Sequence, residues 1–270
     1  MTESIATPNK PGQAGGQALV AIQSQGWSQS GPGSTGNQDN FLDSPEKFLW
    51  AVADGVTSGV HGDKASSLVI KAMSCLKKPD SLEGQAQEAV RLLSLVNDEL
   101  WSRREDDKFC ATTFLMLLMH AGQAACLWAG DSRCYLFRND LLYQCTRDHT
   151  LRQEHIDRGL LTAAEAGRMI KGHIITNSLG ADKDLFYEKV FFDVYPGDRL
   201  MLCTDGLSGL LQTELISDVL KNSRGPAEAA ERFAELIARR EARDDATQIT
   251  IFISAVHGAR VEHYGGLEKK

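Results

Sequence analysis

The chain reads as an α+β domain built mainly on antiparallel strands, and three observations predict it. Short apolar runs closed by glycine or by polar clusters recur along the sequence as strand signals. Longer stretches with apolar residues three and four apart read as amphipathic helices. The links between successive strands are mostly too short for the crossover that a parallel pair requires.

Taken in order, the apolar run at 18–22 predicts a first strand, and 48–53 climbs through Leu49-Trp50-Ala51-Val52 to a second. Helical periodicity follows at 63–77 and 85–104. A hairpin series comes next, with strands at 112–119, 123–128, 134–137 and 142–145. A helical pattern at 162–171 precedes strands at 188–194 and 199–203, and helices at 214–222 and 227–243 lead to a closing strand at 248–253. Trp50 and Trp128 lie inside strands and read as core. No internal repeat of fixed period is present.

Three of these apolar runs end in aspartate: Ala53-Asp54-Gly55, Ala129-Gly130-Asp131 and Cys203-Thr204-Asp205-Gly206. A fourth acidic pair, Asp244-Asp245, stands before the last strand. One Asp-Gly at a strand end is most simply a hairpin turn. Here, however, Asp131 follows its glycine and Asp244-Asp245 enters a strand, so turn chemistry alone does not account for the set. Carboxylates gathered at strand ends repel unless a positive charge lies between them, and hard divalent cations take oxygen ligands of this kind. The pattern points to a metal centre.

Composition narrows the alternatives. At 270 residues and 42% hydrophobic content the chain is long enough for one sizeable core. The net charge of −7, with cations no more clustered than Lys77-Lys78, Arg103-Arg104 and Arg239-Arg240, argues against a nucleic-acid surface. The six cysteines lack Cys-x-x-Cys spacing and read as reduced core residues of a cytoplasmic protein. Neither a signal-peptide core nor an apolar stretch of membrane-spanning length occurs. Residues 1–16 have the composition of a disordered tail, 17–256 form the expected domain, and 257–270 read as a second tail.

In chain order the sequence carries Asn37-Gln38-Asp39, Ala53-Asp54-Gly55 with Gly62-Asp63-x-Ala65-Ser66, Ala111-Thr112-Thr113, Gly130-Asp131-Ser132-Arg133, Thr146-Arg147-Asp148-His149-Thr150, Ser178-Leu179-Gly180, Gly197-Asp198, Thr204-Asp205-Gly206 and Asp244-Asp245-Ala246-Thr247. This series, spanning about residues 18–253, resembles the bacterial branch of the PPM/PP2C metal-dependent protein serine/threonine phosphatases. The resemblance implies a four-layer αββα sandwich with the metal site at one end. It implies that Asp54 bridges two Mn²⁺ or Mg²⁺ ions, that the Gly55 carbonyl binds the second ion, and that Asp205 and Asp244 complete the first. Asp244 is preferred to Asp245, which falls where the family usually has Asn. Asp39 would hold solvent at the ions, Asp131 with Asp205 would form a third, weaker site, and residues 149–173 would form a flap beside the substrate groove.

The implied chemistry is hydrolysis of phosphoserine and phosphothreonine in proteins, opposing a bacterial kinase. A cation pair would acidify water and neutralise phosphoryl oxygens during in-line displacement. No Cys-x₅-Arg pair is present to support a cysteine phosphatase. Two departures stand out. Ser34 occupies the place of a phosphate-binding Arg, which predicts poor affinity for small phosphoesters. Val56-Thr57-Ser58-Gly59 replaces a Gly-Gly-His stretch, so His61 is not assigned as a general acid. His149 and Arg133 read as structural. The first motif also resembles phosphatases of type VI secretion loci, which reverse phosphorylation of a forkhead-associated scaffold. A monomer without nucleic-acid or membrane partners is expected. Two other readings remain: a pseudophosphatase that captures a phosphoprotein, and a phosphatase of an anti-anti-sigma factor.

Overall fold

The computed structural model describes residues 20–32, 36–56, 61–78, 80–104, 110–170, 174–240 and 244–255. Two five-stranded antiparallel sheets pack face to face and carry helices on their outer faces. The first sheet runs, in spatial order, β1 (Val20–Gln29), β10 (Ala246–Ala255), β9 (Arg199–Cys203), β6 (Arg133–Arg138) and β7 (Leu141–Gln144). The second runs β2 (Asp39–Ser44), β3 (Leu49–Asp54), β4 (Phe114–His120), β5 (Gln123–Ala129) and β8 (Glu188–Asp193). Helices α1 (Gly62–Ser74) and α2 (Leu82–Ser102) cover the second sheet, whereas α6 (Thr213–Asn222) and α7 (Pro226–Ala238) cover the first. Shorter helices α3 (Leu151–Asp157), α4 (Ala163–Met169) and α5 (Asp205–Ser208) lie in the connections. This is the four-layer sandwich that the resemblance implied.

The layering explains why the central strands are apolar throughout instead of alternating. In β4, Phe114, Met116 and Leu118 face the α1–α2 layer, while Leu115, Leu117 and Met119 face the opposite sheet. In β9, Leu200 and Leu202 point between the sheets and Met201 and Cys203 meet α6 and α7. A strand covered on both faces needs apolar side chains at every position. Burying one such leucine contributes about 1.5 to 3 kcal/mol. Trp50 and Trp128 belong to the layer between the sheets, as expected.

Several elements differ from the sequence expectation. β1 does not stop at residue 22 but continues to Gln29, because Gln23, Ser24 and Gln25 pair with β10 in register while every other side chain faces out. β2 was not expected, because its short apolar pair Phe41-Leu42 is flanked by Asp39, Asn40 and Asp43, which are poor strand formers. It is an edge strand held by its ladder to β3. α3 forms within the expected flap, with the Thr150 side chain accepting from the Gln153 N–H at 3.2 Å. α4 is closed by a Thr162–Glu165 capping box. The last helix ends at Ala238. All six cysteines are free, and five are buried. The expected tails, 1–16 and 257–270, together with Ser34, residues 57–59 and flap residues 171–173, lie outside the described residues. Among the described residues, no helix is long and apolar enough to cross a membrane.

Candidate metal centre

The acidic residues gather where both sheets end. Asp39 opens β2 and Asp54 closes β3, and the two are paired across the ladder. The Asp54 main chain is clamped on both sides. Its carbonyl accepts from the Thr113 N–H and the Thr112 hydroxyl, each at 2.8 Å, and its N–H donates to Thr113 Oγ1 at 3.1 Å. Asp131 sits in the link from β5 of one sheet to β6 of the other, where the Ser132 hydroxyl lies 3.1 Å from Thr113 Oγ1. Asp205 is the first residue of α5, directly after β9. One clamp joins the two sheets at this end: the Thr204 hydroxyl donates to Asp39 Oδ2 at 2.8 Å and accepts the Thr247 N–H at 3.0 Å.

The two Asp-Gly pairs are not turns. Neither Gly55 nor Gly206 has a positive φ. Both are glycines because another backbone comes close: a Cβ on Gly55 would sit 2.3 Å from the Gly62 carbonyl carbon, and one on Gly206 would sit 1.9 Å from the Asp245 carbonyl oxygen. The first contact seats the start of α1 against Asp54-Gly55, and the second seats α5 against the strand that follows Asp244-Asp245.

Asp244 and Asp245 have different surroundings. Asp245 is buried, and its two oxygens accept the Gly31 N–H at 2.7 Å and the Gln38 N–H at 2.6 Å. Its carboxylate is used up in tying β10 to the start of β2. Asp244 is exposed, and its charge reaches Asp54.

The electrostatics show how closely the others approach one another. Burial holds the Asp54 carboxyl well above the ordinary carboxylate range, and Asp39, Asp205, Asp131 and Asp244 all push in the same direction. Burial likewise raises Asp39 to about 7, despite hydrogen bonds from Thr204 and Thr247 that oppose the shift. Asp131 is raised to about 8 by burial, then by Asp205 and Asp148. Among the described residues, no three acid, histidine or cysteine side chains are already drawn together as a finished ligand set. The donors nevertheless suit a hard cation. They are all oxygens, and the buried Asp39 Oδ1 and Asp205 Oδ1 accept no hydrogen bond.

Nearby charged groups have structural partners. Arg133 forms a two-pronged pair with Asp148, at 2.9 and 2.6 Å, and donates to the Tyr135 hydroxyl. His149 is locked to the link before Asp131: its Nδ1 accepts the Gly130 N–H at 3.1 Å, and its main-chain N–H donates to the Gly130 carbonyl at 3.0 Å. His61 is exposed at the start of α1. Sequence reasoning missed the threonines at 112, 113, 204 and 247, which set the carboxylates in place. Their signal was present, since each lies beside an acid or within the motifs Ala111-Thr112-Thr113, Thr204-Asp205 and Ala246-Thr247.

Known proteins resemble this chain in sequence and fold. The chain is 28% identical over 207 residues to the serine/threonine phosphatase stp of Listeria innocua, covering 73% of this chain and 82% of that protein. Its fold superposes with a TM-score of 0.77 and 29% identity on PppA, a key regulatory component of T6SS in Pseudomonas aeruginosa, covering 86% of this chain and 97% of that one. The catalytic domain of the serine/threonine protein phosphatase PstP, solved in complex with two manganese ions, superposes with a TM-score of 0.75 at 28% identity, covering 87% of this chain and all of that one. The serine/threonine protein phosphatase PstP of Mycobacterium tuberculosis is 30% identical over 204 residues, covering 74% of this chain and 39% of that protein. The family model for protein phosphatase 2C matches residues 33–252, a span that takes in Asp39, Asp54, Asp131, Asp205 and Asp244, and the chain belongs to that family.

Proposed function

We propose that this chain hydrolyses phosphoserine and phosphothreonine in proteins at a centre holding two Mn²⁺ or Mg²⁺ ions. The observation that carries the reading is the gathering of Asp39, Asp54 and Asp131 where the two sheets end, their carboxyls raised first by burial and then by neighbouring acids, in a chain of the protein phosphatase 2C family. A divalent pair there supplies Lewis-acid polarisation of the phosphate and acidification of the attacking water. Asp54, fixed by its backbone clamp to Thr112 and Thr113, would serve as a ligand to the ions, together with the Gly55 carbonyl. Asp205 and Asp244 complete one ion's set, and Asp131 with Asp205 offers a third, weaker site. Asp39, oriented by the Thr204 hydroxyl, would position solvent beside the ions.

The partners are phosphorylated proteins of a serine/threonine kinase pathway in the cytoplasm. The likeness to PppA favours one within type VI secretion, with a forkhead-associated scaffold as the substrate to test first. The decisive assay is hydrolysis of a phosphothreonine peptide after chelation and again after Mn²⁺ or Mg²⁺ is restored. Activity that returns only with metal, and falls steeply in Asp205→Asn, supports the reading. Stoichiometric metal binding without turnover would replace it with capture of a phosphoprotein.

A further inference from the structure

A cleft of about 610 Å³ opens on the flap side of the centre, between α3 and the segment that leads into β8. It adjoins the carboxylate ring through two neighbouring residues that line it. His149 is bonded to Gly130, next to Asp131, and Asp148 is held by Arg133, two residues beyond Asp131.

The charge of the cleft is one-sided. Of its acids, Asp148 is neutralised by Arg133, Asp157 by Arg147, and Glu154 lies 3.7 Å from Arg158. Asp182 and Asp184, both exposed on the rim, form no ion pair among the described residues, and Lys183 between them does not line the cleft. Glu188 stands 3.7 Å from His149 Nε2. His149 is 9% exposed, its Nδ1 is already an acceptor for Gly130, and its Nε2 is buried with no hydrogen-bond partner. Phe186, 59% exposed, packs on the same imidazole at 5.8 Å between ring centroids.

We infer that this cleft holds the polypeptide flanking the phosphorylated residue and selects substrates with Lys or Arg there. The inference rests on the phosphatase reading and names the substrate class of that site. The aliphatic stem of a Lys or Arg side chain covers the Phe186 ring, and its charged head meets Asp182, Asp184 and Glu188. An acidic flank is repelled by the same groups, so the cleft discriminates through repulsion as well as attraction.

The test uses the full chain loaded with Mn²⁺ and phosphothreonine peptides matched except for Arg, Ala or Glu flanks on either side. Arg-flanked peptides should show kcat/KM about tenfold above Glu-flanked ones, a difference of roughly 1.4 kcal/mol. The Asp182→Asn/Asp184→Asn double variant should narrow that gap mainly through KM. Glu231→Gln, on the outer face of α7, controls for the overall negative charge and should leave the gap intact. Equal rates for Arg and Glu flanks, or equal narrowing by Glu231→Gln, overturn the inference while hydrolysis itself upholds the phosphatase. If no phosphoester is hydrolysed, the phosphatase reading falls. Anisotropy of the labelled peptides then decides the cleft: tighter binding of the Arg-flanked peptide, lost in the double variant, supports it, and identical binding rejects it.

Discussion

Two sets of buried aspartates in this molecule meet the cost of burial differently. Asp198 lies 2% exposed against the Arg138 guanidinium and also accepts the Tyr195 N–H, while Asp245 takes two backbone N–H groups. These acids are satisfied by the protein itself, and they tie loops to strands. Asp39 and Asp54 are also withdrawn from water, but the strongest charges acting on Asp54 are other aspartates, and Asp39 keeps one oxygen without a partner. The first kind of site is complete as folded. The second is stable only with protons or with an added cation, and such incomplete neutralisation marks a centre built for a ligand.

The strongest way to break this contrast is to remove one acid of the incomplete set. Asp54→Asn or Asp205→Asn should lower phosphopeptide turnover by on the order of 10² to 10³. The metal-free melting temperature should hold or rise, since a repulsive charge is gone; a large loss of stability would make these residues structural. The complete set should behave in the opposite sense. Arg138→Met leaves Asp198 buried without its cation and should cost about 3 to 5 kcal/mol in chemical denaturation, with or without Mn²⁺. A change below ~1 kcal/mol would put Asp198 in the same class as the ring.

Acidity separates the two sets without mutation. The folded-state pKa of Asp39 is raised to about 7 and that of Asp131 to about 8. Between the ordinary carboxylate range and those values the folded state keeps protons that the unfolded chain has released, so stability falls as pH rises through that window. Melts of chelated protein from acid to neutral pH should show this decline, Asp39→Asn should flatten it, and saturating Mn²⁺ should remove it. A flat profile in the wild-type chain would mean that the ring is not strained by charge. The smallest expected effect concerns Ser34. Ser34→Arg should lower KM for a chromogenic phosphate by about tenfold, the equivalent of one charge-assisted hydrogen bond; an unchanged KM would show that phosphate is gripped elsewhere.

Much of the fold was legible because continuous apolar runs in β3, β4, β5 and β9 leave no polar face, and only strands covered on both sides tolerate that. The edges were harder to read. β2 is rich in Asp and Asn and forms through its ladder to β3, and the polar stretch of β1 beyond Ile22 is made strand by its continuous pairing with β10. Local propensity gives little sign of a strand whose stability comes from a partner more than two hundred residues away. In the site, the acids were visible because Asp is conspicuous at the end of an apolar run. The threonine clamps stand in the same motifs but their role was not legible, since nothing local says what a hydroxyl at a strand end touches until the structure brings Asp54 and Asp39 to it.

The amino-acid order by itself determined which residues could be strands, which acids would stand at their ends, and that the donors there would be oxygens, because these follow from side-chain type and spacing along the chain. Tertiary structure alone decided that Asp39 lies across from Asp54, that Thr204 links it to the other sheet, and that Asp245 is consumed by backbone donors while Asp244 faces solvent. It also decided that the glycines of both Asp-Gly pairs serve close backbone approach and not turning. Those outcomes depend on distances between segments far apart in sequence, set by how two sheets stack and where their ends meet.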